Sequence, residues 1–173
     1  MALNLIIDGY NLIRQSPYLQ EIDARELEAG REALLASLAL YRQSRPGHKI
    51  TVVFDGWDQG GWKESRDRRA GMTIIYSRRG EKADEVIKRL LEKERSRAIV
   101  VSSDRELQDY ADRVGAAWIS APQFEASHLR GAAGPGPAAE AEEAEYLPRP
   151  SKKGPAHRAP KRQRQRQQRL KKL

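Results

Sequence analysis

Residues 3–11, LNLIIDGYN, hold the reading that decides the fold. The apolar run Leu3 to Ile7 is rich in branched side chains and too short for a helix, so it is expected to be a buried strand that ends at Asp8. Four similar runs follow: Ile50 to Phe54, Met72 to Tyr76, Ala98 to Val101 and Ala116 to Ile119. Helical periods separate them. Asp23 to Gln43 brings Leu27, Leu34, Leu35 and Leu38 towards one face, Glu81 to Arg95 does so with Val86, Ile87, Leu90 and Leu91, and Asp104 to Val114 with Leu107, Tyr110, Ala111 and Val114. Gly115 suits a left-handed cap after the last of these, and Pro122 to Leu129 fits a short final helix. Strands that are apolar throughout and alternate with helices form a parallel sheet covered on both faces. The expectation is an α/β domain with a mainly parallel five-stranded sheet.

Composition divides the rest of the chain. The 173 residues suit one domain with extensions. Residues 1–130 are expected to be the domain, and residues 131–148, rich in Gly, Pro, Ala and acid, a flexible linker. Residues 149–173 hold 11 Lys and Arg and no acid, which leaves 21 bases against 24 acids in residues 1–148, a net of −3. The overall +8 therefore belongs to the tail. A mildly acidic body with a basic extension points to a polyanionic partner for the extension. With few apolar residues to dock it, the tail is expected to be disordered on its own. The lack of cysteine excludes disulfides, thiolate nucleophiles and cysteine-bound zinc, and three scattered histidines make a poor transition-metal site. No signal peptide or membrane span is expected, and a soluble cytoplasmic protein is the default.

Chemistry in such sheets gathers where strands end. Asp8 ends the first strand, Asp55 the second (VVFDGW), and Ser102, Ser103 and Asp104 follow the fourth (IVVSSDREL). Asp84 opens the helix after the third, with Glu81 just ahead (GEKADEVIKRL). Carboxylates crowded together repel one another and are reconciled by a divalent cation, for which Mg²⁺ and Mn²⁺ have the right preference for oxygen. Such an ion permits phosphodiester hydrolysis without Ser, Cys or His nucleophiles. Each residue singly also has a structural use. Asp8-Gly9 and Asp55-Gly56 suit turns, Asn11 a helix cap, Ser103 with Glu106 a capping box, Asp104 a helix dipole, and Asp84 a pair with Lys88. Three rivals stand beside one another: a nuclease, an RNA-binding module without turnover, and a phosphoryl-accepting α/β protein using Asp8. Tyr10, two residues after Asp8 where phosphatases place an acid, weakens the last.

The motifs DGYN, VVFDGW, the Ala83-Asp84 pair and VVSSD, in this order over about residues 3–129, resemble the NYN family of PIN-like nucleases, in its bacterial YacP-like branch. The resemblance implies a PIN-like three-layer sandwich and endonucleolytic cleavage of RNA with Mg²⁺ or Mn²⁺. It further implies Asp8, Asp84 and Asp104 as metal ligands and catalytic residues, with Asp55 as a further ligand. Asn11 would orient water, phosphate or a carboxylate, and Ser103 would position Asp104 or a bound water, with Glu81 in support. Messenger RNA as substrate and ribosome association are implied in the same way. Lys82 departs from the small polar residue expected before Ala83-Asp84, and phosphate contact is its expected role.

Two stretches are suited to RNA. Residues 56–71 combine Trp57 and Trp62 with Lys63, Arg66, Arg68 and Arg69, and Arg78 and Arg79 extend that positive rim. Aromatic faces beside cations hold single strands, at roughly 1 to 3 kcal/mol per stacked base. In the tail, Lys161, Arg162, Arg164, Arg166 and Arg169 suit phosphates and carry little sequence selectivity.

Overall fold

The structure, a computed structural model, describes residues 3–56, 62–129 and 161–173, with only the backbone of Leu27 and of residues 161–163. The expected linker at 131–148, tail residues 149–160 and Trp57 lie outside the described residues. A six-stranded sheet carries the domain, in the order β3-β4-β2-β1-β5-β6. β1 (Asn4–Asp8) lies at its middle, with Leu5 opposite Ile50 of β2 (Lys49–Phe54) on one side and Ile99 of β5 (Ala98–Val101) on the other. β4 (Met72–Tyr76) extends the sheet beyond β2, and β6 (Ala117–Ile119) beyond β5, all in parallel.

After β1 the chain passes through α1 (Gly9–Gln15), α2 (Pro17–Asp23) and α3 (Leu27–Ser44) to β2. After β4, α4 (Ala83–Glu94) takes it back past β1 to β5, and α5 (Arg105–Val114) leads on to β6. The direction of winding thus reverses at β1, and the crevice at the carboxyl ends of the strands beside such a reversal is where α/β sheets place their sites.

Strand alternation divides the core in two. Leu5, Ile7, Val52, Phe54, Ile99 and Val101 face α1–α3, joined by Leu12, Leu34 and Leu38. Ile6, Val53 and Val100 face α4 and α5, meeting Val86, Ile87, Leu91 and Leu107. Each of these side chains contributes roughly 1.5–3 kcal/mol by leaving water, which fixes the sheet register, since a slip by one residue would exchange the two faces.

Three expectations need correction. The sheet has a sixth strand, β3 (Ser65–Arg69), antiparallel to β4 and exposed along its length. Its SRDRR sequence has no buried face to announce it. It forms because Ala70 and Gly71 both take positive φ (50° and 74°) between paired Arg69 and Met72, the geometry of a tight hairpin turn. Next, the helix expected over Asp23–Gln43 is α3, which starts only at Leu27, and α1 and α2 stand before it where no helix was expected. Pro17 starts α2 behind Ser16, whose side chain accepts from the Leu19 N–H, and the backbone turns extended at Glu26 (φ −157°). The ends pack closely, since a Cβ on Gly30 would stand 2.5 Å from an Asp23 oxygen.

The third correction concerns the tail. Following α6 (Ala121–Phe124), which runs into a wider turn at Glu125–Leu129, the described chain resumes as α7 (Lys161–Leu170). This segment is helical and docked on the domain. The Arg166 guanidinium lies 3.3 Å over the Trp118 ring and donates from Nε to the Trp118 carbonyl at 3.0 Å. Arg169 donates to the Gly115 carbonyl at 2.7 Å, and Leu173 is buried in the α1–α3 core with its carbonyl 3.4 Å from the Tyr41 hydroxyl. Hydropathy could not reveal this attachment, because a guanidinium stacked on an indole does part of what an apolar face would. Arg166→Ala is expected to lower the unfolding free energy by about 1–2 kcal/mol. Removing residues 161–173 should lower it further, as Leu173 leaves the core. Urea unfolding checks both, and undiminished stability without residues 161–173 would contradict the docking.

Candidate active site

Where the sheet reverses, three helices begin, and an aspartate meets the first amides of each. Asp8, only 8% exposed, ends β1 and caps α1, accepting from the Asn11 N–H at 3.3 Å. Asp104 caps α5 with Oδ1, which accepts from Glu106 and Leu107 at 2.7 and 3.2 Å. Asp55, following β2, accepts from the Ala83 N–H at 2.7 Å and so serves α4 from a distance, where the cap residue Lys82 makes no side-chain bond. Asp84 sits in the first turn of α4. The unpaired N–H groups and positive dipole ends of the helices offset part of the cost of gathering negative charge here.

Two polar side chains join these elements. Asn11 accepts from the Ser103 N–H at 2.8 Å, so α1 holds the loop after β5. Ser102, fully buried, donates to Asp8 Oδ2 at 3.2 Å and accepts from the Asp104 N–H at 3.1 Å. One hydroxyl thereby sets two of the acids relative to each other. The role expected of Ser103 belongs to its neighbour, since the Ser103 hydroxyl instead accepts from the Ala121 N–H at 3.3 Å. The signal available was position: Ser102 is the first residue past a strand buried on both faces.

The charges are coupled. Burial pushes the Asp8 carboxyl up to about 6, against hydrogen bonds from Asn11 and Ser102, and the negative charges of Asp84 and Asp55 push the same way. Burial also raises Asp84, aided by Asp104 and Asp55 and opposed by Lys88. Asp8, Asp55, Asp84 and Asp104 thus occupy one electrostatic neighbourhood. Their oxygens are donors of the kind Mg²⁺ or Mn²⁺ prefers. As they stand, however, no three His, Cys, Asp or Glu side chains among the described residues are drawn close enough to hold a metal ion. The donor type and charge fit a divalent cation.

Glu81 does not join this group. Arg89 and Arg78 pair with it and hold its carboxyl below its ordinary value, chiefly through the Arg89 hydrogen bond. Lys88 pairs with Glu85 and Glu106, at 3.2 and 2.6 Å, and forms no ion pair with Asp84. Gly9 begins a helix, so its place after Asp8 is not explained by an unusual turn. A Cβ there would lie 2.3–2.8 Å from the Phe54 ring, and glycine lets β1 hand over to α1 against that ring.

On the positive rim, Trp62 is 87% exposed and Lys63, Arg68, Arg79 and Lys82 are also exposed. Arg66 pairs with Glu64, and Arg69 with Glu32 through both terminal guanidinium nitrogens, Nη1 and Nη2. In the tail Arg164 is exposed, whereas Arg166 and Arg169 bind the domain itself; Lys161 and Arg162 are described by backbone alone.

A mostly parallel sheet with acids at its reversal point and helices on both faces is the architecture of PIN-like NYN domains. The YacP-like NYN domain model matches residues 5–170, so the chain belongs to that family, with α7 inside the match. It is similar to the protein YacP of Bacillus subtilis (strain 168), 35% identical over 86 residues, which are 50% of this chain and 49% of that protein. That match therefore spans about half the length of the curated relative. The crystal structure of Rae1 (YacP) from Bacillus subtilis aligns with a TM-score of 0.56 at 29% identity, covering 72% of this chain and 71% of that one. A tryptophan-to-leucine variant of it gives 0.59 at 28% identity, covering 70% and 72%. Membership is consistent with a nuclease-type, RNA-related function. No helix among the described residues is long and apolar enough to cross a membrane.

Asp8 carries a pH signature. An acid whose pKa is higher folded than unfolded binds more protons when folded, so stability falls as pH rises through that interval and levels off above it. In EDTA, the Asp8 contribution should decline between its ordinary 3.8 and about 6. Asp8→Asn should flatten that slope and gain about 3 kcal/mol at neutral pH relative to acid. Unfolding curves from pH 3.5 to 7.5 check this, and an unchanged slope would contradict it.

Proposed function

We propose that this protein is a metal-dependent endoribonuclease that hydrolyses RNA phosphodiester bonds. The observation that carries the reading is the coupling of Asp8, Asp55, Asp84 and Asp104 at the starts of three helices around the reversal point of the sheet. Asp8, Asp84 and Asp104 would hold Mg²⁺ or Mn²⁺, with Asp55 as a further ligand. Bound there, the ion would supply the Lewis acid for phosphodiester hydrolysis.

The protein's own groups prepare that chemistry. Ser102 fixes the Asp8 carboxylate and, through the Asp104 N–H, the start of α5. Asn11 holds the 102–104 loop against α1, and its amide nitrogen, which donates to no group among the described residues, would orient water or phosphate. Asp84 accepts no hydrogen bond among the described residues, which leaves both oxygens available for ligation. Trp62, Lys63, Arg78, Arg79 and Lys82 would receive the RNA strand, and Arg164 with Lys171 and Lys172 on the docked tail would add phosphate contacts. Messenger RNA as substrate, ribosome association and a cytoplasmic setting extend this reading from the family resemblance.

The competing reading is an RNA-binding module without turnover, favoured by the lack of three metal-holding side chains already gathered among the described residues. One substitution separates the two. Purified protein should cut single-stranded RNA with Mg²⁺ or Mn²⁺ and not in EDTA, while Asp84→Asn should lower the rate by at least about a hundredfold with an unchanged circular dichroism spectrum and RNA affinity. Binding without cleavage by the parent protein would favour the module, and cleavage undiminished in Asp84→Asn would reject the proposed centre.

A further inference from the structure

A cavity of about 340 Å³ opens beside α4, lined by Trp62, Lys63, Glu64, Arg78, Glu81 and Arg89. Arg89 joins its walls. From α4 the guanidinium forks, donating from Nη2 to Glu64 at 2.8 Å and from Nη1 to Glu81. The other Glu64 oxygen accepts from Arg66 Nε at 2.8 Å, and Arg78 stands 3.5 Å from the second Glu81 oxygen. The result is a chain of three guanidiniums and two carboxylates, with Lys63 adding a further positive charge.

The two signs are not equally presented to solvent. The Glu64 and Glu81 side chains are 21% and 10% exposed, against 63%, 62% and 52% for Arg66, Arg78 and Arg89. The open face is therefore cationic, and its cations are held in place before any ligand arrives, which reduces the ordering cost of binding. Beside them Trp62 presents its indole almost bare at 87% exposure, unlike Trp118, which Arg166 covers.

A bare aromatic face next to fixed guanidiniums matches a nucleotide, whose base stacks on the indole while its phosphate meets arginine through paired hydrogen bonds. The volume, about 340 Å³, lies at the small end of the roughly 300–1,000 Å³ usual for small-molecule sites, and the site is open to solvent, as a subsite along a single strand needs to be. The cavity is also tied to the carboxylates through its wall. Ser77 donates to the Glu81 carbonyl at 2.6 Å and accepts from the Gly56 N–H at 2.9 Å, while Asp55 accepts from Ala83. The loop that forms this wall thus also sets Asp55 and Asp84.

We propose that the cavity is a subsite for one unstacked nucleotide of single-stranded RNA. Trp62 is its stacking platform, Lys63 and Arg78 are its phosphate contacts, and Arg89 is the positioning residue that holds the walls together. Its place along a substrate rests on the ribonuclease reading; its affinity for a nucleotide does not.

The test titrates adenosine 5′-monophosphate into the full-length protein labelled with ¹⁵N at tryptophan. The Trp62 indole N–H signal, identified by its loss in Trp62→Phe, should move to saturation while that of Trp118 stays in place. Trp62→Ala, at an exposed position, should weaken binding about fivefold to 150-fold. Arg89→Gln should weaken it about tenfold, with circular dichroism reporting the fold. The nucleotide should bind equally in EDTA and in Mg²⁺, so loss of the nuclease reading leaves the subsite standing and loss of the subsite leaves the nuclease reading standing. A Trp62 signal that does not move, one that moves equally with inorganic phosphate alone, or parental affinity in a folded Arg89→Gln protein would each overturn the proposal.

Discussion

Around the reversal point of the sheet, aspartate oxygens accept hydrogen bonds from the first amides of α1, α4 and α5. Each bond satisfies a helix end that would otherwise lack a partner, and each brings a negative charge to the same edge. The two effects cannot be separated, because capping draws the acids to an edge where burial, and after it their proximity, raises Asp8 and Asp84. A structural reading of these aspartates as caps and a chemical reading of them as a charged centre are therefore not alternatives. One oxygen of Asp8, Asp55 or Asp104 can serve the helix while the carboxylate as a whole contributes to the field.

Much of this was legible in the sequence, and the reason is periodicity. Five of the six strands are apolar on both faces, so their runs stand out and their carboxyl ends can be located to within a residue or two, which places Asp8, Asp55 and Asp104 at one edge. Strand order is not periodic information. That β1 lies between β2 and β5, and that α4 runs back past it to bring Asp84 near Asp8, comes only from the folded chain. The Ser102 bridge was missed for a related reason: two adjacent serines look alike in sequence, and only one turns towards the acids.

What the sequence concealed lies in charged segments that serve structure. β3 has no apolar face and is held by its turn, by pairing with β4 and by the Arg69–Glu32 pair to α3. α7 has a strongly basic sequence, yet Arg166 and Arg169 hold it to β6 and to Gly115, two residues before that strand, with Leu173 as its anchor. In both, arginine acts through planar stacking and directed hydrogen bonds, properties that hydropathy does not register. The same property sets the Arg89 fork, where a surface cation orders two carboxylates. Positive charge in this protein is therefore a poor guide to contact with RNA until its existing partners are known.

The central claim is that the coupled aspartates form one cation site. The most direct measurement is anomalous diffraction from a crystal of the full-length protein soaked with Mn²⁺. The account predicts a peak bounded by Asp8, Asp84 and Asp104, with Asp84 turned inward to meet it. No peak there at saturating Mn²⁺, or peaks only on other acids, would contradict it.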